Sequence, residues 1–112
     1  MIALQTKLQS LRDAFVAVLP ETYHYERPAR KDAPFAIWKE DHEDFSVEAD
    51  NSKAEQGVVG YLDYFTASEF DSTVDAFQTC LNETASVKYW DLDSVDKEDE
   101  TGLIHYRWSW RV

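Results

Sequence analysis

The sequence predicts a single α+β domain in which one antiparallel or mixed sheet of about five to six strands carries two helices packed on one face. Two segments repeat apolar residues at steps of three and four, a spacing typical of helices. The other segments are rich in aromatic and β-branched residues, which favours strands. The chain has 112 residues, so we expect residues 1–112 to form one domain with one core.

The first segment predicts a helix of about 17 residues that ends at Pro20, because proline cannot continue a helix. Its apolar residues share one face: Leu4, Leu8, Leu11, Phe15 and Val18. Short strands are predicted next, at residues 22–26, 35–40 and 45–50. Between the last two, the polar run DHED at residues 41–44 favours a turn.

The strand predicted at residues 57–66 has apolar side chains on both of its faces, with Asp63 as the polar exception. One face carries Val59, Tyr61 and Phe65, and the other carries Val58, Leu62 and Tyr64. A strand of this kind usually lies in the middle of a sheet or beneath a neighbouring subunit.

A second helix is predicted from Glu69 or Asp71 to Glu83. Three caps fit its start, and the sequence leaves them open: Ser68 with Asp71, Ser72 with Asp75, or Asp71 alone. The expected apolar stripe of this helix is Phe70, Val74, Phe77 and Leu81.

The chain closes with a predicted hairpin whose last strand alternates strictly between apolar and polar residues. The apolar side consists of Ile104, Tyr106, Trp108, Trp110 and Val112, and the polar side consists of His105, Arg107, Ser109 and Arg111. The tip of this hairpin is acidic, and Gly102 can supply a positive φ there.

The charge balance is unusual, with 22 Asp and Glu against 11 Lys and Arg and a net charge of −11. Such a chain lacks the basic footprint that sequence-specific or non-specific nucleic-acid binding needs, and anionic membranes would repel it. Protein partners are therefore favoured. A single cysteine, no signal-peptide pattern and no long apolar run indicate a protein made in a cytoplasm.

One dense basic run stands against this background, at Arg27, Arg30 and Lys31. A solvated loop is the ordinary interpretation of surface charge. The functional interpretation is that this run docks on the acidic hairpin tip of another copy, whose candidate residues are Asp96, Glu98, Asp99 and Glu100.

No catalytic or metal site is predicted, and we expect no cofactor. Asp91 and Asp93 begin like a calcium-binding loop, but Val95 and Asp96 break the pattern where such a loop needs an oxygen ligand and a glycine. The three histidines have no zinc-ligand spacing. Cys80 lies beside the apolar stripe of the second helix, where a thiol is usually inert.

Three stretches together resemble the small tail-terminator proteins of siphophages and prophages, which are also described as tail-completion or minor capsid proteins. They are YHYERP…APFAIWKED, VVGYLDYFTASEFDSTVDAFQTCLN and DKEDETGLIHYRWSWRV, and they lie within residues 23–112. The most specific pieces are DYFT followed by EFD, and ETGLIHY leading into the last strand.

The resemblance implies an α+β subunit that forms a ring, commonly a hexamer, at the head-proximal end of the tail tube. The ring stops tail polymerisation and joins the head, so the implied partners are other copies, the tail tube protein and the head-completion protein. The implied location is the virion tail, and the host cytoplasm before assembly. No reaction or cofactor belongs to this role.

The sequence is also compatible with two other function classes. An acidic inhibitor that mimics DNA would be a monomer or dimer that binds a nuclease or repressor in a salt-sensitive way. A small enzyme or ligand-binding domain would use the aromatic-rich sheet to line a pocket.

Overall fold

A computed structural model describes residues 1–27, 29, 32–50 and 52–112. The elements follow in the order α1 (Leu4–Val18), β1 (Thr22–His24), β2 (Phe35–Ala49), β3 (Ser52–Thr66), α2 (Ser72–Glu83), β4 (Tyr89–Lys97) and β5 (Ile104–Arg111). They form one five-stranded sheet in the order β1-β2-β3-β5-β4. Strand β1 runs parallel to β2, and the other pairs are antiparallel. The predicted α+β class, with one mixed sheet and two helices, is confirmed.

The core lies between the two helices and one face of the sheet, which we call the covered face. Phe15 of α1 meets Trp38 and Phe77 edge-on, with ring centroids 5.9 and 6.2 Å apart. The alternation predicted for the last strand is confirmed here, because Trp108, Trp110 and Val112 are completely buried. The wide Trp110 indole lies over Gly60, where any Cβ would overlap it.

The turn predicted at residues 41–44 is wrong, because β2 continues through this stretch to Ala49. Bulges between Glu40 and His42 and between Glu43 and Phe45 accommodate the polar residues without ending the strand. The turn lies instead near Asp50, whose φ is 52°. DHED lacks glycine and proline, and a continuous ladder with β3 satisfies its backbone.

The outer part of the β2–β3 hairpin, residues 43–57, extends past the end of β5, and we call it the arm. Strand β5 pairs with β3 only as far as Val59, opposite Arg111. Nearly every described residue of the arm is exposed. The arm accounts for the elongated shape of the molecule, which measures 53 × 25 × 22 Å.

Helix α2 begins later than the apolar stripe predicts, because Asp71 alone caps it. The Asp71 carboxylate accepts a hydrogen bond from the Thr73 N–H at 2.9 Å, and it also accepts hydrogen bonds from the hydroxyls of Tyr64 and Thr66 at 2.5 and 2.7 Å. These bonds hold the cap against the end of β3. Phe70 therefore precedes the helix, with φ at 56° and 92% of its surface exposed, so its assignment to the buried stripe is wrong.

Strand β3 lies centrally, between β2 and β5, as one of the two predicted alternatives requires. Its two faces divide as expected, since Val58, Leu62 and Tyr64 join the core cluster. In the described part of the chain, neither helix is long and apolar enough to cross a membrane.

Candidate functional site

The face of the sheet opposite the helices, which we call the open face, is organised around a buried carboxylate. Asp63 is 8% exposed, and its Oδ1 lies 2.6 Å from His105 Nε2 and 2.8 Å from Arg107 Nε. The hydrogen bond to Asp63 raises the pKa of Arg107, and the guanidinium also lies 4.5 Å from the centre of the Tyr61 ring. This ion cluster joins β3 to β5.

A row of stacked side chains closes one end of the open face. The Arg27 guanidinium lies 4.5 Å from the Phe35 ring centroid, Phe35 stacks on Phe65 at 4.7 Å, and Phe65 stacks on His105 at 4.2 Å. Phe35 is only 3% exposed although no helix covers it. These stacked side chains therefore cover this end of the open face.

An open groove of about 790 Å³ lies between the start of α2 and the β4–β5 hairpin. Its apolar lining includes Phe70, Val74, Val95, Ile104 and Tyr106. Phe70 and Val95 are 92% and 48% exposed. Four carboxylates and one lysine also line it: Glu69, Asp71, Asp75, Asp96 and Lys97. The groove is therefore an apolar surface with an acidic rim.

The predicted acidic tip lies at the end of this groove. Asp96 is exposed on β4 opposite His105. Glu98 is half-buried and accepts a hydrogen bond from the Thr101 hydroxyl at 3.1 Å. Asp99 and Glu100 are exposed in the turn.

Of the predicted basic run, the structure describes Arg27, which is exposed beside the start of β2. Arg30 and Lys31 lie outside the described residues. One row across the sheet pairs Phe35 with Phe65, Phe65 with His105, and His105 with Asp96. Three strand spacings separate the two ends of this row, about 14 Å. Arg27 and the acidic tip therefore lie at opposite edges of the same end of the sheet and are not brought together among the described residues.

The arm, at the other end of the sheet, carries five carboxylates. Its carboxylates are Glu43, Asp44, Glu48, Asp50 and Glu55, and its one cation is Lys53. Lys53 Nζ lies 2.7 Å from Glu43, which also accepts a hydrogen bond from Gln56. At the base of the arm, Lys7 donates to the Gln56 carbonyl at 3.1 Å.

The groups considered for metal binding or catalysis have structural partners. Asp93 accepts a hydrogen bond from the Ser109 hydroxyl at 3.0 Å. Burial raises the pKa of the Cys80 thiol, which lowers its reactivity at neutral pH. Among the residues that the structure describes, no three His, Cys, Asp or Glu side chains are grouped so that they could hold a metal ion.

The sequence interpretation missed the groove and the Asp63 cluster for different reasons. The alternation of β5 placed His105 and Arg107 on one side of the strand, and Asp63 was the polar exception on β3. The sequence therefore contained the residues of the Asp63 cluster as a recognisable pattern, although it did not show that β3 pairs with β5. The groove had none, because it joins residues 67–75 to residues 95–106 and depends on where α2 begins.

No protein-family model matches the chain, and no curated protein matches it in sequence. Among solved structures, a chain of the structure described as "Virion of native gene transfer agent (GTA) particle" has a similar fold. The match covers 97% of this chain and 92% of that chain, with a TM-score of 0.53 and 16% sequence identity. This chain therefore shares its fold, over nearly its whole length, with a chain of a gene transfer agent virion.

Proposed function

We propose that the chain is a structural subunit of a phage or prophage virion. In this role it forms a ring at the head-proximal end of the tail tube, ends tail polymerisation and provides the surface that joins the head. The observation that carries the proposal is the fold shared with a chain of a gene transfer agent virion over 97% of this chain. The tail-terminator resemblance of the sequence agrees with it.

The placement of charge supports ring formation. A closed ring needs a heterologous interface, in which one surface of a subunit meets a different surface of the next. Arg27 lies at one edge of the sheet and is followed in the sequence by Arg30 and Lys31, whereas Asp96, Glu98, Asp99 and Glu100 belong to the other edge. In this proposal, the basic run of each copy contacts the acidic tip of its neighbour.

The remaining negative charge has a separate role in the proposal. A tail channel must let DNA pass without adhering, and carboxylates repel phosphates. The arm, with five carboxylates and one lysine, is the best candidate for the part of the subunit that lines the channel. The other proposed neighbours are the tail tube protein and the head-completion protein, and no cofactor or reaction is required.

Electron microscopy of particles made with and without the chain tests the terminator role. With the gene disrupted in the genome that encodes it, we expect DNA-filled heads without tails and separate tails of abnormal length. Supplying the intact chain from a plasmid should restore joined particles. Particles of normal tail length that remain joined to heads in the disrupted strain would overturn the proposal.

Charge reversal tests the edge contact. The double variant Arg30→Glu, Lys31→Glu should lower the mass of the assembled protein in light scattering, because it places carboxylates opposite the acidic tip. Each single variant, Arg30→Glu and Lys31→Glu, is compared with Arg12→Glu, a reversal of one charge away from this edge, since Arg12 is exposed on α1 and pairs with the adjacent Asp13. An unchanged mass for the double variant would contradict this contact.

A further inference from the structure

We propose that the groove between α2 and the β4–β5 hairpin is the docking site for residues 27–34 of a second copy of this chain. The inference rests on the proposed ring, because it identifies the occupant as the neighbouring subunit. It adds an apolar anchor, centred on Phe70 and Val95, to a contact that charge alone would make weak. Exposed ion pairs contribute little on their own, whereas buried aromatic anchors dominate most interfaces.

The exposure of Phe70 identifies the groove as a contact surface. Large apolar side chains that are exposed next to one another often mark a contact surface, because a soluble monomer rarely exposes a contiguous apolar patch. Here 92% of Phe70 is exposed, and it lines the same groove as Val95, which is 48% exposed. Because Asp71 fixes the start of α2, Phe70 cannot turn into the core as part of the helix.

Charge complementarity selects the occupant. The groove is lined by four carboxylates and one lysine, so it favours a cationic segment with small apolar groups. Residues 27–34, RPARKDAP, contain three cations and one carboxylate, together with two alanines and two prolines. No other stretch of this acidic chain has so dense a positive charge.

The groove and the segment lie at different edges of the sheet, so the proposed contact joins two different surfaces of the two copies. The segment joins β1 to β2 at one edge of the sheet, and the groove adjoins β4 at the opposite edge. A subunit that binds its neighbour in this way leaves its own groove or segment free for the next copy. Such a heterologous contact closes into a ring when the rotation between copies permits.

Pairing of sheet edges is a weaker explanation of how copies would meet. Strand β4 carries Asp91, Asp93 and Asp96, and a register shift between Leu92 and Ser94 interrupts its ladder. Strand β2 is also acidic, and three register shifts interrupt its ladder with β3. Like charges and bulges are features that prevent edge-to-edge pairing, so the groove fits a second copy better than the sheet edges do.

Matched valine substitutions test the groove in the full-length chain. Val95→Ser alters the groove, and Val47→Ser is the control, because Val47 is 47% exposed on the arm and also lies in a strand. We expect Val95→Ser and Phe70→Ser each to weaken binding of a fluorescein-labelled RPARKDAP peptide about tenfold or more, as loss of an anchor residue does. Fluorescence anisotropy measures this directly, and Val47→Ser should bind as the unmodified chain does.

The outcomes separate this inference from the proposed function. Peptide binding that is absent, or equally weakened by Val47→Ser, overturns the groove even if disruption of the gene still yields unjoined tails. Peptide binding that is lost only in the groove variants supports the groove even if particles form normally without the chain, in which case the ring role fails instead. A charge-reversed peptide, in which Glu replaces each of the three cations, should not bind.

Discussion

The covered face of the sheet and the groove both contain large apolar side chains, but those of the covered face are buried and those of the groove are exposed. Two phenylalanines near α2 illustrate this difference. Phe77 is completely buried and contacts the rings of Phe15, Tyr64 and Trp108. Phe70, seven residues earlier, is 92% exposed. We infer that Phe77 holds the fold together and that Phe70 is available to a partner.

The cause of the difference is the cap that Asp71 supplies. Burial alone would raise the pKa of Asp71, but hydrogen bonds from Tyr64, Thr66 and Thr73 outweigh it and hold the pKa below its ordinary value of 3.8. The same arrangement raises the pKa of Tyr64 to about 12, through burial and its bond to Asp71. After the cap, Phe77 and Leu81 of the helix reach the core, whereas residues 67–70, immediately before the cap, are exposed.

We expect the largest loss of stability from a substitution on the covered face. Phe77→Ala should lower the free energy of unfolding by about 3–5 kcal/mol, because it removes a fully buried ring and leaves a cavity. Urea unfolding followed by tryptophan fluorescence measures the change. A loss below about 1 kcal/mol would mean that α2 does not pack on the sheet as described.

Substitution of the buried carboxylate on the open face should cost less stability. Asp63→Asn removes the charge that Arg107 and His105 share, and we expect a loss of about 1.5–3 kcal/mol, the usual cost of a hydrogen bond to a charged group. The double variant Asp63→Asn, Arg107→Gln should lose less than the sum of the two single variants. Additive losses in urea unfolding would contradict the cluster.

Removal of the Asp71 cap should cost still less stability. Asp71→Ala should cost about 1–2 kcal/mol, whereas Ser68→Ala, at the alternative cap position, should stay within about 0.5 kcal/mol of the unmodified chain. Equal losses for the two variants would contradict capping by Asp71 alone.

The cap also predicts a pH dependence. Because the pKa of Asp71 is lower in the folded state than the unfolded value of 3.8, its contribution is fully present above the unfolded pKa and is lost as pH falls through the folded pKa. The difference in unfolding free energy between the unmodified chain and Asp71→Asn should therefore shrink on acidification. A difference that is constant from neutral pH to about pH 2 would be inconsistent with this linkage.

The smallest effect on stability is expected at Phe70. Phe70→Ser should change the free energy of unfolding by no more than about 0.5 kcal/mol, as is usual for an exposed side chain outside the core. A loss comparable to that of Phe77→Ala would place Phe70 in the fold and remove the contrast between the two phenylalanines.

The sequence predicted those parts of the fold in which local periodicity and burial agree. The steps of α1 and the alternation of β5 both correspond to buried faces, so Phe15 and Trp108 could be assigned to the core in advance. At residues 41–44 the local composition favoured a turn, but pairing with β3 extends the strand, and that pairing is not local.

The groove could not have been predicted from the sequence, for a related reason. Its position depends on which of three possible caps starts α2, and hydrogen bonds from Tyr64 and Thr66 across the end of β3 decide this. The charged residues of the two edges were identified from the sequence, but their separation on one end of the sheet follows from the strand order.

A disulfide cross-link between copies tests most directly the claim that the groove receives the basic segment of a neighbour. Val95→Cys places a thiol in the groove, and Ala29→Cys places one in the segment; burial keeps the native Cys80 thiol poorly reactive. We predict that mild oxidation of the two variants mixed together gives a disulfide-linked heterodimer on non-reducing gels, and that either variant alone remains largely uncross-linked. No heterodimer in the mixture, or equal cross-linking of each variant alone, would contradict the account.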